Sequence, residues 1–259
     1  MRSAYHTVVS RPLSDFVEMM WLAEDYVQPH SSERLLPTGR MNLILSLDEH
    51  GRVGDLAAGA HSRSAILDTS RPLSLLGVVF KPGGGFPFFG IPAGELQDSS
   101  VPLDALWGRD ASVLSEQLLA AASSSAQFQI VESSLRSRLH RAPAPDAAIR
   151  YAIDSFKDPM RSPSVAAVVE RIGLSPRRFI AAFRGEVGLT PKVFCRIARF
   201  RRVIEGLQRT ADVDWATVAL DCGYYDQAHF IHDFSEFAGV SPTTYLRQRT
   251  SANHVRVSD

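Results

Sequence analysis

Side chains whose types and spacing suggest chemistry fall in two short stretches in the second half of the chain. Arg177, Arg178 and Arg184 are interleaved with Phe179 and Phe183, and Gln227, His229 and His232 with Phe230 and Phe234. Such polar groups suit recognition of nucleic acid: arginine pairs with guanine through two hydrogen bonds, glutamine with adenine, and either can hold a phosphate. On a helix, phenylalanines four residues apart share one face. With Phe179 and Phe183 turned inward, Arg177, Ala181 and Arg184 lie on the far side, flanked by Arg178 and Ile180. With Phe230 and Phe234 inward, Ala228, Ile231, His232 and Ser235 point outward and Gln227 sits in the first turn. Two readings stand for Arg177 and Arg178, a base contact by at least one of them or phosphate contacts only. For His229 and His232 the alternatives are a DNA contact or a solvated surface.

Patterns for catalysis do not assemble. Gly83-Gly84-Gly85 is not followed by the Gly-Lys-Ser/Thr of a phosphate loop and reads as a turn between strands. His6, His30, His50 and His61 show no close His-x-His pair with a downstream Glu. Asp15, Glu18, Glu24 and Asp25 read as surface charge on a helix rather than as an acid–base pair. The two cysteines, Cys195 and Cys222, form no metal or redox spacing. Cys222 lies beside a turn, where it is either a small buried core residue, the favoured reading, or a thiol whose oxidation would disturb DNA binding. The expectation is a protein that is not an enzyme and holds no metal or cofactor.

The elements that position the polar residues are duplicated. Gly173, Phe179, Phe183, Gly188 and Pro191 recur as Gly223, Phe230, Phe234, Gly239 and Pro242, and Ala166 and Val169 recur as Ala216 and Ala219. Each copy has the parts of a helix-turn-helix. A first helix carries a small residue, Ala166 or Ala216, expected to face its partner. A glycine then closes that helix in the left-handed conformation. A capping residue, Ser175 or Asp226, opens the second helix. Gly-Leu-Thr-Pro191 and Gly-Val-Ser-Pro242 end it and start another, with Thr190 or Ser241 as the cap and proline at the first helical position. Between the copies, residues 191–208 read as one helix about 27 Å long. That length is compatible with placing both units in successive major grooves, which lie about 34 Å apart on one face of B-DNA. It carries Lys192, Arg196, Arg199, Arg201 and Arg202, some expected to be solvated and others to touch phosphates.

Charge supports this division. The chain of 259 residues has no net charge, but residues 1–146 carry 12 Lys and Arg against 16 Asp and Glu, and residues 147–259 carry 16 against 12. An acidic half joined to a basic half fits a nucleic-acid module attached to something else. Hydrophobic residues make up 45% of the chain, enough for a sizeable core. The longest apolar runs, 43–47 and 75–80, are too short to span a membrane, and the N-terminus lacks the pattern of a signal peptide. Residues 141–146, Arg-Ala-Pro-Ala-Pro-Asp, read as a stiff linker. Before it, residues 112–139 read as helical with a serine-rich break at 123–125. Residues 41–47 and 73–80 read as strands, with turns at 48–52 and 81–85. Residues 92–96 and 102–107 read as short helical starts.

The second copy resembles the AraC/XylS family of bacterial transcription regulators. The resemblance rests on Asp221-Cys-Gly-Tyr-Tyr-Asp-Gln-Ala-His-Phe-Ile-His-Asp-Phe-Ser235, then Phe237-Ala-Gly-Val-Ser-Pro242 and Tyr245, and extends over residues 147–249. The first half resembles a cupin-like domain of largely unknown function found before this module. The stretches that match are Leu35-Leu-Pro-Thr-Gly-Arg-Met-Asn-Leu43, Ala58-Gly-Ala-His61, Gly77-Val-Val-Phe-Lys-Pro-Gly-Gly84 and Val101-Pro-Leu-Asp-Ala-Leu-Trp107. The resemblance implies that positions 177, 180 and 181 face bases, where Ile180 and Ala181 offer only apolar contact. His232 stands where the family often has arginine, which weakens guanine readout. It also implies an N-terminal half that senses a small-molecule effector or forms a homodimer, and RNA polymerase as a partner.

These readings combine into an α+β chain. Residues 1–140 form a β-rich, cupin-like domain with helical additions, for effector sensing or dimerisation. Residues 141–146 link it to an all-α tandem helix-turn-helix domain at 147–250, and 251–259 are a tail. The expected function is sequence-specific binding of double-stranded DNA by Arg177, Arg178, Ile180, Ala181, Arg184, Gln227, Ala228, His229, Ile231 and His232. The expected place is the cytoplasm, on the nucleoid, with no membrane partner. The alternative is a small-molecule-binding protein whose helix-turn-helix half mediates protein contacts. A DNA-repair methyl acceptor is rejected, because residues 1–146 contain no cysteine.

Overall fold

The computed structural model describes residues 2–6, 11–48, 53–139, 145–158, 163–207, 213–251 and 253–257. Residues 141–144 of the expected linker lie outside that set, as do 49–52 of an expected turn, which include His50, and Gln208 at the end of the expected connecting helix.

The fold is α+β. Its first half contains β1 (Arg2–His6), β2 (Val17–Tyr26), β3 (Ser32–Leu35), β4 (Asn42–Ser46), β5 (Leu56–Ala58), β6 (Ala65–Asp68), β7 (Leu73–Phe80) and β8 (Ser100–Pro102). Six of these make one antiparallel sheet in the order β1-β2-β7-β4-β5-β8. Strand period explains its inner face. Met20 pairs with Val78, which pairs with Leu43, which pairs with Ala57, and one pleat away Leu22 pairs with Leu76 and Leu76 with Leu45. All seven are buried, the six larger ones each stabilising the sheet by about 1.5–3 kcal/mol through area removed from water and Ala57 by less. Helices α1 (Phe86–Phe89), α2 (Leu103–Trp107), α3 (Arg109–Leu119) and α4 (Ser124–Leu139) complete this half. Phe80 stacks on Phe88, and the buried Trp107 ring donates Nε1–H to the Phe88 carbonyl at 2.9 Å.

One expectation fails here. The segment that was to carry Glu18, Glu24 and Asp25 on a helix is strand β2, and Asp15 ends a short 3-10 turn, Leu13–Asp15. A register shift between Val17 and Met19 breaks the alternation that would have marked the strand. Glu18 pairs with Arg40 at 2.9 Å.

The second half is helical: α5 (Ala147–Lys157), α6 (Val165–Ile172), α7 (Pro176–Val187), α8 (Pro191–Leu207), α9 (Trp215–Asp221), α10 (Gln227–Ala238) and α11 (Pro242–Gln248). Aromatic rings hold it together in two groups, Phe156, Phe179, Phe183 and Phe194 around the first unit and Trp215, Phe230, Phe234, Phe200, Phe237 and Tyr245 around the second. Contacts within each group are edge-on, tilted or offset, the geometries ring quadrupoles favour. No described helix is long and apolar enough to cross a membrane.

Beyond the helices, in the segment expected as a tail, the chain turns back. Strand β9 (His254–Arg256) adds to β3 in a second antiparallel sheet, β6-β3-β9, with Val255 fully buried. The buried carboxylate of Glu33 on β3 gathers donors from both halves. It accepts hydrogen bonds from the Tyr26 hydroxyl at 2.7 Å and the Thr250 hydroxyl at 2.6 Å, and contacts His254 Nδ1 at 2.9 Å and His30 Nε2 at 3.2 Å. The first half also touches the helices where α7 ends: a Cβ at Gly188 would stand 3.2 Å from the Ala93 carbonyl oxygen.

Candidate nucleic-acid interface

Each helix-turn-helix is built by its caps. In the first unit, Ser164 Oγ accepts from Ala167 N–H at 3.2 Å to start α6, and Gly173 closes it with φ 75°. Ser175 Oγ then accepts from Arg178 N–H at 3.4 Å, with Pro176 at the first position of α7. In the second unit, Asp214 caps α9, Gly223 turns the chain with φ 81°, and the Asp226 carboxylate accepts from His229 N–H at 2.7 Å to start α10. The Ser241 hydroxyl caps α11, accepting from Thr244 N–H at 3.2 Å. These bonds satisfy donors that a helix start otherwise leaves unmet, at about 1 kcal/mol each.

The expected packing of Ala166 and Ala216 is not observed, and both are exposed. With Ser164 and Asp214 as caps, each lies at the second helical position and faces out. The residues that pack are one turn later: Val168 and Val169 in α6, and Ala219 in α9.

The proposed readers sit as follows. On α7, Arg177, Arg178, Ile180, Ala181 and Arg184 are exposed, while Phe179, Phe183 and Val187 are buried. Neither Arg177 nor Arg178 has an ion-pair partner among the described residues. Arg184 differs: its Cγ would lie 2.8 Å from a Cβ at Gly94, so its stem packs on the first half of the chain. On α10, Gln227, Ala228, Ile231 and His232 are exposed. His229 is half-buried, with its ring edge-on to Tyr224 and Nε2 3.8 Å from Asp233. Ser235, expected outward, is also half-buried.

Helix α8 joins the units. Its 17 residues span about 26 Å. It buries Phe194, Ile197, Phe200, Val203, Ile204 and Leu207. Arg196 does structural work that its sequence position did not reveal. Its guanidinium donates to Asp233 at 2.7 Å and to Glu236 at 2.5 Å, and lies over the Phe237 ring at 5.0 Å. Asp233 is 3% exposed, so this cation is what makes its burial tolerable. The hydrogen bond to Asp233, then that to Glu236, holds Arg196 charged above its ordinary range. The same two carboxylates and His232 bring ligand atoms within 4.8 Å of one another, but Arg196 already bridges both acids. No count along the helix could have located Asp233 beside Arg196, because the pair depends on how α10 crosses α8.

Arg199 donates to the Gly223 carbonyl at 3.4 Å and lies over Tyr224 at 5.3 Å. Arg201 bonds the side chain of Asn253, next to β9, and lies 4.0 Å from Glu205. Lys192 and Arg202 have no ion pair among the described residues. Between the two units Lys192, Arg196, Arg199 and Arg202 border a cleft of about 550 Å³ whose far wall includes His229. Cys195 lies in the same wall; burial pushes its thiol up to about 11 despite the pull of Arg199 and Arg202. Burial likewise raises the Cys222 thiol, which disfavours the reactive thiolate.

The described histidines of the first half have separate surroundings. His6 contacts Glu132 at 2.6 Å and stacks on Phe128, His30 reaches Glu33, and burial lowers the pKa of His61.

Residues 168–248 match the family described as a helix-turn-helix domain, and residues 8–102 match a domain of unknown function, DUF6597. A stretch of 120 residues, 45% of this chain, is 28% identical to the probable thc operon regulatory protein of Rhodococcus erythropolis. The match spans 36% of that protein's length. Among solved structures, ToxT from Vibrio cholerae is similar over 96% of this chain and 99% of its own, at 13% identity and a TM-score of 0.44. ToxT bound to (E)-4-(8-methylnaphthalen-1-yl)but-3-enoic acid gives 13% identity and a TM-score of 0.44 over 95% and 98%.

Proposed function

Proceeding from a chain whose C-terminal part is an AraC-type helix-turn-helix domain, we propose that it binds double-stranded DNA and regulates transcription. Helices α7 and α10 enter successive major grooves of one duplex. The carrying observation is a pair of equivalently capped units, each exposing residues from the first turns of its second helix, fixed at the two ends of a single 17-residue helix. Gln227 is a base reader through paired hydrogen bonds to adenine, and Arg177 or Arg178 through a guanine. Ile180, Ala181, Ala228 and Ile231 offer apolar contact to thymine methyl groups. His229 and Arg184 are weaker readers, one turned toward Asp233 and the other packed on Gly94. Phosphate contacts and duplex shape contribute the remaining affinity.

The first half is the regulatory part, responding to a small molecule or joining two copies. Its contacts at Gly188 on the first unit and at Thr250 and His254 beyond the second give it a hold on both ends of the DNA-binding module. Such a regulator works in the cytoplasm on the nucleoid, with RNA polymerase as its partner, and catalyses nothing. The test is selection of bound sequences from a random duplex pool with the full chain at near-physiological salt. Enrichment of two boxes about one helical turn apart is the expected result. Enrichment of a single box would reject the tandem arrangement, and failure to bind any duplex, with or without candidate effectors, would reject the function.

A further inference from the structure

We propose that the cleft between the two units is a binding site for a phosphate group. Lys192, Arg196, Arg199 and Arg202 repeat every three or four residues on α8, so they share a face, and all four line the cleft. No carboxylate is among the lining residues. Asp233 and Glu236 neutralise Arg196 from behind, while Lys192 and Arg202 remain without an ion pair among the described residues. The Nε–H groups of Arg199 and Arg202 are shielded from solvent and have no acceptor. Ser164 and Val165, which start α6, form part of the wall. The Ser164 hydroxyl caps Ala167 N–H, leaving the N–H groups of Val165 and Ala166 unmet by that cap at the positive end of the helix dipole.

These groups select a tetrahedral oxyanion with several acceptor oxygens. Guanidinium forks suit phosphate, and a lysine adds a point charge. The remaining wall includes Phe156, Pro163 and Val165, so the C–H face of a sugar, or another low-polarity group, attached to the phosphate also has a surface to lie on. A cleft of about 550 Å³ holds more than a bare ion. Two sources supply this chemistry, the sugar-phosphate backbone of a duplex laid across both units and a free phosphorylated small molecule. The first rests on the DNA-binding reading above, and the second does not.

The experiment uses the full chain and the variants Arg202→Gln and Lys192→Gln. Lys192 is exposed, so its variant keeps the test valid if Arg202→Gln fails to fold. One arm titrates inorganic phosphate and glycerol 3-phosphate against chloride at matched ionic strength and reads the thermal midpoint. The other measures duplex affinity against salt. Loss of one backbone contact lowers the slope of log Kobs on log salt by about 0.9, so the variant loses about 3.5-fold less affinity than the parent between 50 and 200 mM. A lowered slope without stabilisation by free phosphate identifies the backbone as occupant. Stabilisation that both variants weaken, with the slope unchanged, identifies a phosphorylated small molecule; both effects together mean the two compete. Variants that match the parent in both arms overturn the proposal. Duplex binding by parent and variants alike, with equal slopes and no phosphate effect, would sink the cleft and leave the DNA-binding reading standing.

Discussion

Glu33→Gln should destabilise the protein by about 3 kcal/mol at neutral pH and flatten its acid denaturation. Burial pushes the Glu33 carboxyl upward, but hydrogen bonds from Thr250, then His254, then Tyr26 outweigh it and hold the pKa at about 2. An unfolded glutamate titrates near 4.3, so the difference is a little over two units at about 1.4 kcal/mol each. The folded pKa is depressed, so the stabilisation is fully present above about pH 4.5 and fades as pH falls toward 2. Glutamine keeps one acceptor oxygen but has no charge to lose, and its amide adds donors among donors already present. Urea denaturation of both proteins from pH 7 down to pH 3 measures the effect. The parent should lose stability below pH 4.5 with a steeper slope than the variant, so that by pH 3 the gap between the two curves falls to about half its value at pH 7. Equal stability at pH 7, or parallel curves throughout, would refute the assignment of Glu33 as an ionised hub.

Arg196→Met should cost about 3 kcal/mol in the same denaturation assay, because it leaves Asp233 buried without a cation; a loss below about 1 kcal/mol would show that the pair holds nothing together. Asp226→Ala removes the cap of α10 and should cost about 1 kcal/mol, whereas Asp226→Ser should restore most of it. Gln227→Ala should relax base preference by about 1–3 kcal/mol at one operator position, while Lys192→Gln should weaken binding to all sequences alike; a uniform effect for Gln227→Ala in competition binding would contradict its role.

The parts legible in the sequence were those set by neighbours along the chain. Caps at Ser175, Asp226 and Ser241, the turn glycines and the phenylalanine period all act within four residues, and each stands where the repeat indicated. Strands β4 and β7 were readable because their apolar runs end in turn residues. Strand β2 was not, since its register shift near Val17 hides the period of two behind Glu18 and Met19. Ala166 and Ala216 misled because repetition marks a position as equivalent without showing which way it faces. The Arg196–Asp233 bridge, the Glu33 hub and β9 share a different cause. Each joins residues far apart in sequence, and a three-residue strand such as His254–Arg256 has too few positions to show a pattern.

Strand β9 also bears on how the molecule comes to be made. Glu33 leaves the ribosome 221 residues before His254 does. At about 5–20 residues per second, β3 waits on the order of ten seconds or more with its β9-facing edge open. An open strand edge is a template for pairing with another chain. The sheet β6-β3-β9 can close only once residues 254–256 have been made, so the sheet begun by β3 waits on a segment that follows both helix-turn-helix units. Premature termination shortly after α11 would leave both helix-turn-helix units intact and still release a protein with an exposed edge and a buried acid deprived of two partners.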